Sequence, residues 1–308
     1  MRCVDYPAAQ PHAGLLQRSG GIVRIVSFRS DVVMRRSGFR PATNYFAIIV
    51  AEKWQIRRRN MLSSPTIIGD ATLYSGDCLD TLKKMGDNTI DLAVTSPPYN
   101  MNLRIRNGAY CSRQIVKEIS TKYTEFPDNL PLEEYNKFHT EVLRELIRVS
   151  DLIFYNVQIV TGSKRSVFKM IGELSDFLKD IIVWDKKHGL PAIQSQVLNR
   201  RTELILVFEK DYPVSRQFRK KGNFARGTLE DLWIISRERS CKKTHGAVFP
   251  QELVRKILSN FSQEGDLVYD PFMGTGTTAV VAKEMNRKFI GSEINDTYME
   301  IVKQRLRA

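Results

Sequence analysis

Two short segments hold residue types that could do chemistry. The first is Thr95-Ser96-Pro97-Pro98-Tyr99, which ends an apolar run. Consecutive prolines fix φ and remove two N–H donors, so carbonyls there can face a cleft instead of a neighbouring strand. The corner then presents a hydroxyl, an unpaired carbonyl and an aromatic face. These suit a planar amino-bearing base: Ser96 Oγ and the Pro97 carbonyl can accept from the amino group, and Tyr99 can stack on the ring. An aromatic face also tolerates a passing sulfonium cation. In isolation the same five residues read equally well as a strand-terminating turn with a core tyrosine.

The second segment is Asp270-Pro-Phe-Met-Gly274-Thr-Gly276-Thr-Thr-Ala279, which contains G-x-G-x-x-A between an apolar strand and a helix. Glycines let the backbone turn tightly and approach a ligand. Glu293, seventeen residues past Gly276, falls at the tip of the next strand, where a carboxylate can accept from two ribose hydroxyls. The arrangement describes a nucleoside-cofactor site. NAD and S-adenosylmethionine sites share this physics, and the bland alternative is a plain βα turn. No Gly-Lys-Ser/Thr follows, so it is not a Walker A loop.

The elements that must position these segments alternate. Strands are expected at 71–77, 89–94, 152–157, 180–185, 203–209, 266–270 and 288–294. Helices are expected at 81–85, 132–149, 166–179, 250–261, 274–285 (entered by the glycine turn) and 297–306. Apolar strands alternating with amphipathic helices specify an α/β fold, a parallel sheet covered on both faces. Residues 101–128 read as a long polar loop directly after the Ser-Pro-Pro-Tyr corner. Trp184 and Trp233 read as core, and Arg200 or Arg201 as contacts to a ligand or partners of Glu203.

Composition excludes several classes. At 42% apolar and 26% charged, the 308 residues are globular rather than disordered. No apolar run approaches the roughly 20 residues of a membrane span. The four cysteines (Cys3, Cys78, Cys111, Cys241) are scattered, which argues against a zinc module or disulfide scaffold and for a reducing, cytoplasmic setting. The formal charge of +13 suggests a polyanionic partner. Residues 1–62 carry eleven Lys and Arg against Asp5, Asp31 and Glu52, with no sustained period. This leader reads as a poorly ordered basic arm, a transit peptide, or upstream sequence ahead of a start at Met61; the last is preferred. The domain is expected over 63–308.

The two segments together resemble the amino-group DNA methyltransferases, which methylate the exocyclic nitrogen of cytosine or adenine. Thr95–Asn100, Asp270–Thr278, Gly76-Asp77, Ser292-Glu293 and Thr244–Pro250 carry the resemblance, which covers about residues 70–306. The catalytic motif precedes the cofactor motif, the circularly permuted order of the family's β group. The resemblance implies a mainly parallel seven-stranded sheet with one antiparallel strand and helices on both faces. It implies S-adenosylmethionine as cofactor, with Asp77, Asp270, Phe272, Gly274, Thr275, Gly276, Thr277 and Glu293 as its site, and Ser96, Pro97, Pro98 and Tyr99 around a flipped base. Gly246 stands where the family commonly has proline, which weakens His245 as a cofactor contact.

Ser96, rather than Asp or Asn, points to cytosine N4, with adenine N6 as the alternative. No covalent intermediate is needed, so Cys78 and Cys111 read as ordinary thiols. A base inside a duplex must be flipped. The basic segment 211–245, with Arg216, Arg219, Lys220, Lys221 and Arg226, is the candidate recognition element for double-stranded DNA, the alternative being a solvated charged loop. A cognate restriction endonuclease is the further partner implied. Competing readings are a glutamine or RNA-guanine methyltransferase, a non-catalytic DNA-binding accessory subunit on the same fold, and a NAD oxidoreductase, which would leave Ser-Pro-Pro-Tyr unexplained.

Overall fold

Among the described residues nine strands form one sheet. The computed structural model describes residues 64–100, 104–106, 109–111, 130–160, 163–190, 195–210, 217–219, 222–238 and 249–308. The leader, most of the loop after the catalytic corner, and residues 239–248 with His245 lie outside them. The strands are β1 (Thr66–Ile68), β2 (Ala71–Ser75), β3 (Ile90–Thr95), β6 (Ser150–Val157), β7 (Leu178–Leu190), β8 (Arg200–Glu209), β9 (Leu232–Ile234), β10 (Leu267–Asp270) and β11 (Lys288–Glu293), in the spatial order β1-β2-β11-β10-β3-β6-β8-β7-β9. β2, β11, β10, β3 and β6 run parallel, and β8 lies antiparallel between β6 and β7. The seven-stranded sheet with one reversed strand is therefore present, extended at its edges by three-residue β1 and β9.

Alternation along the strands builds two cores. Leu92, Val94, Leu152, Phe154, Val207 and Val268 face helices α4 (Gln251–Phe261), α5 (Thr277–Glu284) and α6 (Asp296–Arg307). Ala93, Ile153, Tyr155, Phe208 and Tyr269 face α1 (Cys78–Leu82), α2 (Leu132–Val149) and α3 (Lys164–Glu173). Residues one apart point to opposite faces, so strands covered on both sides must be apolar throughout. In α4 the buried residues Leu253, Val254, Ile257, Leu258 and Phe261 form one stripe at helical spacing. α2 carries Glu133 and Glu134 in its first turn and Arg148 in its last, matching the helix dipole.

Local expectations shifted in three places. The short helix starts at Cys78, because Asp77 caps it by accepting from the Leu79 N–H at 2.9 Å. The helix expected through Lys179 stops at Glu173, and β7 already begins at Leu178, which pairs with Phe208. There the Lys179 ammonium meets Glu209 at 2.9 Å with both side chains 1% exposed, so sheet pairing and a buried ion pair override helical periodicity. Third, the segment expected as an irregular loop contains an antiparallel ribbon, β4 (Arg104–Arg106) with β5 (Ala109–Cys111). Among the described residues no helix is long and apolar enough to cross a membrane.

Candidate active site

β3 and β10 are parallel neighbours, with Leu92 beside Val268 and Ala93 beside Tyr269. From β3 the chain crosses through α2 to β6 on one side; from β10 it crosses through α5 to β11 on the other. A crevice opens beyond the carboxyl ends where such connections diverge, and open α/β sheets bind ligands there. The Ser-Pro-Pro-Tyr corner follows β3 and the glycine turn follows β10, so both flank this crevice.

Asp270 ties the two together. Its Oδ1 accepts from Thr95 Oγ1 at 2.6 Å and from the Phe272 N–H at 3.0 Å, and its Oδ2 accepts from Thr278 Oγ1 at 2.7 Å. Burial nevertheless lifts its carboxyl from 3.8 to about 6, against the pull of those donors. Within the protein Asp270 thus acts as the clamp that sets the turn against the corner.

In the glycine turn, Gly274 (φ 55°) and Gly276 (φ 80°) take left-handed conformations that glycine adopts freely. A Cβ on Gly276 would stand 2.8 Å from Val302 Cγ2, so its bareness lets α6 pack close. A Cβ on Gly274 would meet only the Phe272 carbonyl at 3.9 Å, which leaves open space beside the backbone. Glu293 closes the turn: its Oε2 accepts from the Gly274 N–H at 2.7 Å and its Oε1 from the Asn295 N–H at 2.8 Å. Burial raises its carboxyl to about 7, opposed by these N–H donors and reinforced by the charge of Asp270. The Gly76 N–H donates to the Glu293 carbonyl at 2.9 Å, which brings Asp77 alongside. Asp77, Gly274 and Glu293 therefore line the ends of β2, β10 and β11. The open face at Gly274 and the poised carboxylate fit a nucleoside-bearing cofactor. Thr277 is buried, while Phe272 and Thr275 are half-buried at the turn.

The corner is braced from beneath. Tyr135 Oη donates to the Pro98 carbonyl at 3.0 Å, whereas among the described residues no donor reaches the Pro97 carbonyl. His139 packs between Tyr135 and Phe272, with ring centroids 4.2 and 6.2 Å away. Burial pushes its imidazole down to about 3, so it is a neutral packing group bonded to the Tyr155 hydroxyl.

Behind the corner lies a polar network that sequence reasoning missed. Ser96 Oγ and Tyr99 Oη are 2.8 Å apart. Tyr99 Oη donates to Glu203 Oε2 at 2.9 Å. Asn156 Nδ2 lies 2.6 Å from Tyr99 Oη and 2.7 Å from Glu203 Oε2. Lys186 Nζ donates to Glu203 Oε1 at 2.9 Å, its side chain fully enclosed. Burial lowers the Lys186 ammonium, with Glu203 holding it up. Of the two readings of Arg200 and Arg201, pairing with Glu203 does not occur for Arg201: its Nε donates to Asp185 Oδ1 at 2.6 Å, and Arg200 is exposed. The one sequence signal was Asn156, a lone amide in an apolar strand. Trp184 and Trp233 are core residues, whose indole N–H groups donate to the Ile235 and Glu230 carbonyls. Cys78 is a buried thiol pushed up by burial.

Of the basic recognition candidates, Arg219 and Arg226 are exposed, and the Arg219 backbone N–H donates to Glu209 Oε1 at 2.6 Å. Arg216, Lys220 and Lys221 lie outside the described residues.

Comparison with known proteins shows the family and the fold. The model of a family described as DNA methylase matches residues 90–304. The type II methyltransferase M.BglII of Bacillus subtilis is 31% identical over 266 residues, covering 75% of this chain and 68% of that protein. M.HpaI of Haemophilus parainfluenzae, also a type II methyltransferase, is 27% identical over 258 residues, 77% of this chain and 74% of its own. The solved PvuII DNA methyltransferase (cytosine-N4-specific) shares the fold, with a TM-score of 0.57 and 17% identity over 80% of this chain and 97% of that one.

Proposed function

This chain belongs to the N6/N4 DNA methylase family, whose cofactor is S-adenosylmethionine, and from that premise we propose that it methylates the exocyclic N4 of a flipped cytosine in double-stranded DNA. The observation that carries the reading is the 2.6 Å bond from Thr95 to Asp270, which seats a serine-bearing corner beside the glycine turn.

The exocyclic nitrogen is a poor nucleophile, because its lone pair is conjugated into the ring. Ser96 Oγ and the Pro97 carbonyl accept its two hydrogens off the ring plane, which frees the lone pair for in-line attack. Tyr99 holds the face of the base, and Pro98, pinned by Tyr135, keeps the corner rigid. When bound, S-adenosylmethionine supplies an electrophilic methyl on a sulfonium. Glu293 holds its ribose and Asp77 its adenine amino group. Phe272, Gly274, Thr275, Gly276 and Thr277 cradle the rest, with Asp270 keeping the turn in shape. Arg219 and Arg226, with Arg216, Lys220 and Lys221, contact the DNA. The type II relatives support a role in a restriction–modification pair with a cognate endonuclease.

Nucleoside mass spectrometry of DNA treated with the enzyme tests this. N4-methylcytosine is expected; N6-methyladenine would overturn the cytosine assignment and keep the amino-methylation chemistry.

A further inference from the structure

The hydroxyls at the catalytic corner lead away from it to a buried carboxylate. Proton positions along that chain follow from the donor inventory. Glu203 Oε1 is taken by the Lys186 ammonium, and Glu203 Oε2 has only acceptor capacity toward Tyr99. Tyr99 owns one proton, so that proton points to Glu203. Tyr99 Oη, now an acceptor, receives the Ser96 hydroxyl proton across 2.8 Å. Ser96 Oγ also accepts from Asn156 Nδ2 at 3.4 Å, which leaves one lone pair, the state needed to accept from an amino group. Glu203 thus fixes the direction of the whole chain from 107 residues away in sequence.

The amino group must also lose a proton. Its nitrogen gains a methyl, becomes cationic, and releases one hydrogen to restore the neutral product. We infer that Glu203 is the terminal acceptor of that proton, reached through Ser96 and Tyr99. The inference rests on the amino-methylation reading above. The nitrogen lone pair forms the N–C bond, and the S–C bond breaks with its electron pair staying on sulfur. The nitrogen proton moves to Ser96 Oγ as the Ser96 proton moves to Tyr99 Oη and the Tyr99 proton to Glu203 Oε2. Glu203 leaves the step neutral and later releases its proton to solvent.

Other carboxylates nearby are less suited. Asp270 bonds to Thr95, Thr278 and the Phe272 N–H, none of which leads to Ser96. Asp185 is held by Arg201 on its own side of the β7–β8 pair. Lys186 and Asn156 keep the Glu203 carboxylate oriented, and Glu203 acts through Tyr99 and Ser96 as a positioning and proton-accepting residue.

The test uses the full chain, preloaded with methyl-labelled S-adenosylmethionine in excess over unmethylated genomic DNA, and reads the single-turnover rate. Glu203→Gln should slow methyl transfer by about a hundredfold or more, with cofactor affinity by calorimetry unchanged. Tyr99→Phe keeps the stacking ring and should slow it comparably. The combined variant should be no slower than the slower single one, the sign of one shared path. A Glu203→Gln enzyme at the wild-type rate, or losses that multiply in the combined variant, would overturn the inference. Should Glu203→Gln misfold around the unpaired Lys186, Lys186→Met/Glu203→Gln removes both charges; a folded, slow double variant supports the relay and a folded, fast one refutes it. Nucleosides from the same reactions separate the two readings. An N-methylated base with a full-speed variant sinks the relay alone; no N-methylated base from wild type sinks both.

Discussion

Glu293→Gln probes the cofactor site through a property that only its burial creates. The free carboxyl is raised to about 7, so near neutrality it is close to half protonated. Ribose hydroxyls need acceptors, and only the ionised form offers both oxygens as acceptors. Cofactor binding therefore draws on the ionised form, displaces a proton wherever the free group holds one, and strengthens as pH rises through about 7. Between about pH 8 and about pH 6 affinity should fall roughly tenfold, about 1.4 kcal/mol. Glutamine preserves the size of the side chain but sets an amide NH2 against one of the two backbone N–H groups that Glu293 now accepts from. Losing that charge-assisted bonding should weaken binding by about 1–3 kcal/mol. Calorimetry in buffers of different ionisation enthalpy reads both effects. The cofactor's own α-amino group titrates at about 7.7–8.0, and the variant retains that contribution, so the difference between the two proteins isolates Glu293. Near about pH 6, wild type should release close to one more proton than the variant. Identical pH dependence, or equal affinity, would refute the assignment.

Ser96→Ala should lower turnover by roughly a hundredfold while cofactor affinity holds; a matching loss of cofactor binding would make the corner structural. Asp270→Asn should change how stability depends on pH. The folded carboxyl lies above its unfolded value of 3.8, so its contribution is fully present below that value and lost as pH rises through about 6. The swing is about 3 kcal/mol, and denaturant titrations of the variant should lack it; parallel pH profiles would contradict the burial argument. Gly276→Ala would place a methyl against Val302 at a left-handed φ of 80°, with an expected destabilisation of about 1–3 kcal/mol. An unchanged melting temperature would mean that α6 can yield at that contact.

What the linear sequence determined by itself was local. Helix α2 spans Leu132–Val149 as its apolar period requires, because amphipathic spacing is a property of neighbours three and four apart. The glycine turn and its distant Glu293 were legible for a similar reason. A βαβ unit fixes the path between two strand ends, and Gly274 and Gly276 do adopt the conformations their type allows. Sheet order decided the rest. Asp270 meets Thr95 only because β10 lies beside β3, a pairing across 175 residues. The antiparallel register of β7 and β8 decided which cation met which carboxylate. It gave Asp185 to Arg201 and left Glu203 facing Lys186 and Tyr99. In sequence Glu203 stood near Arg200 and Arg201, and Lys186 lay just past the strand expected at 180–185. Whether such groups become exposed salt bridges or an enclosed network depends on which strands lie above and beside them. That depends on contacts across tens to hundreds of residues, which periodicity and spacing do not encode.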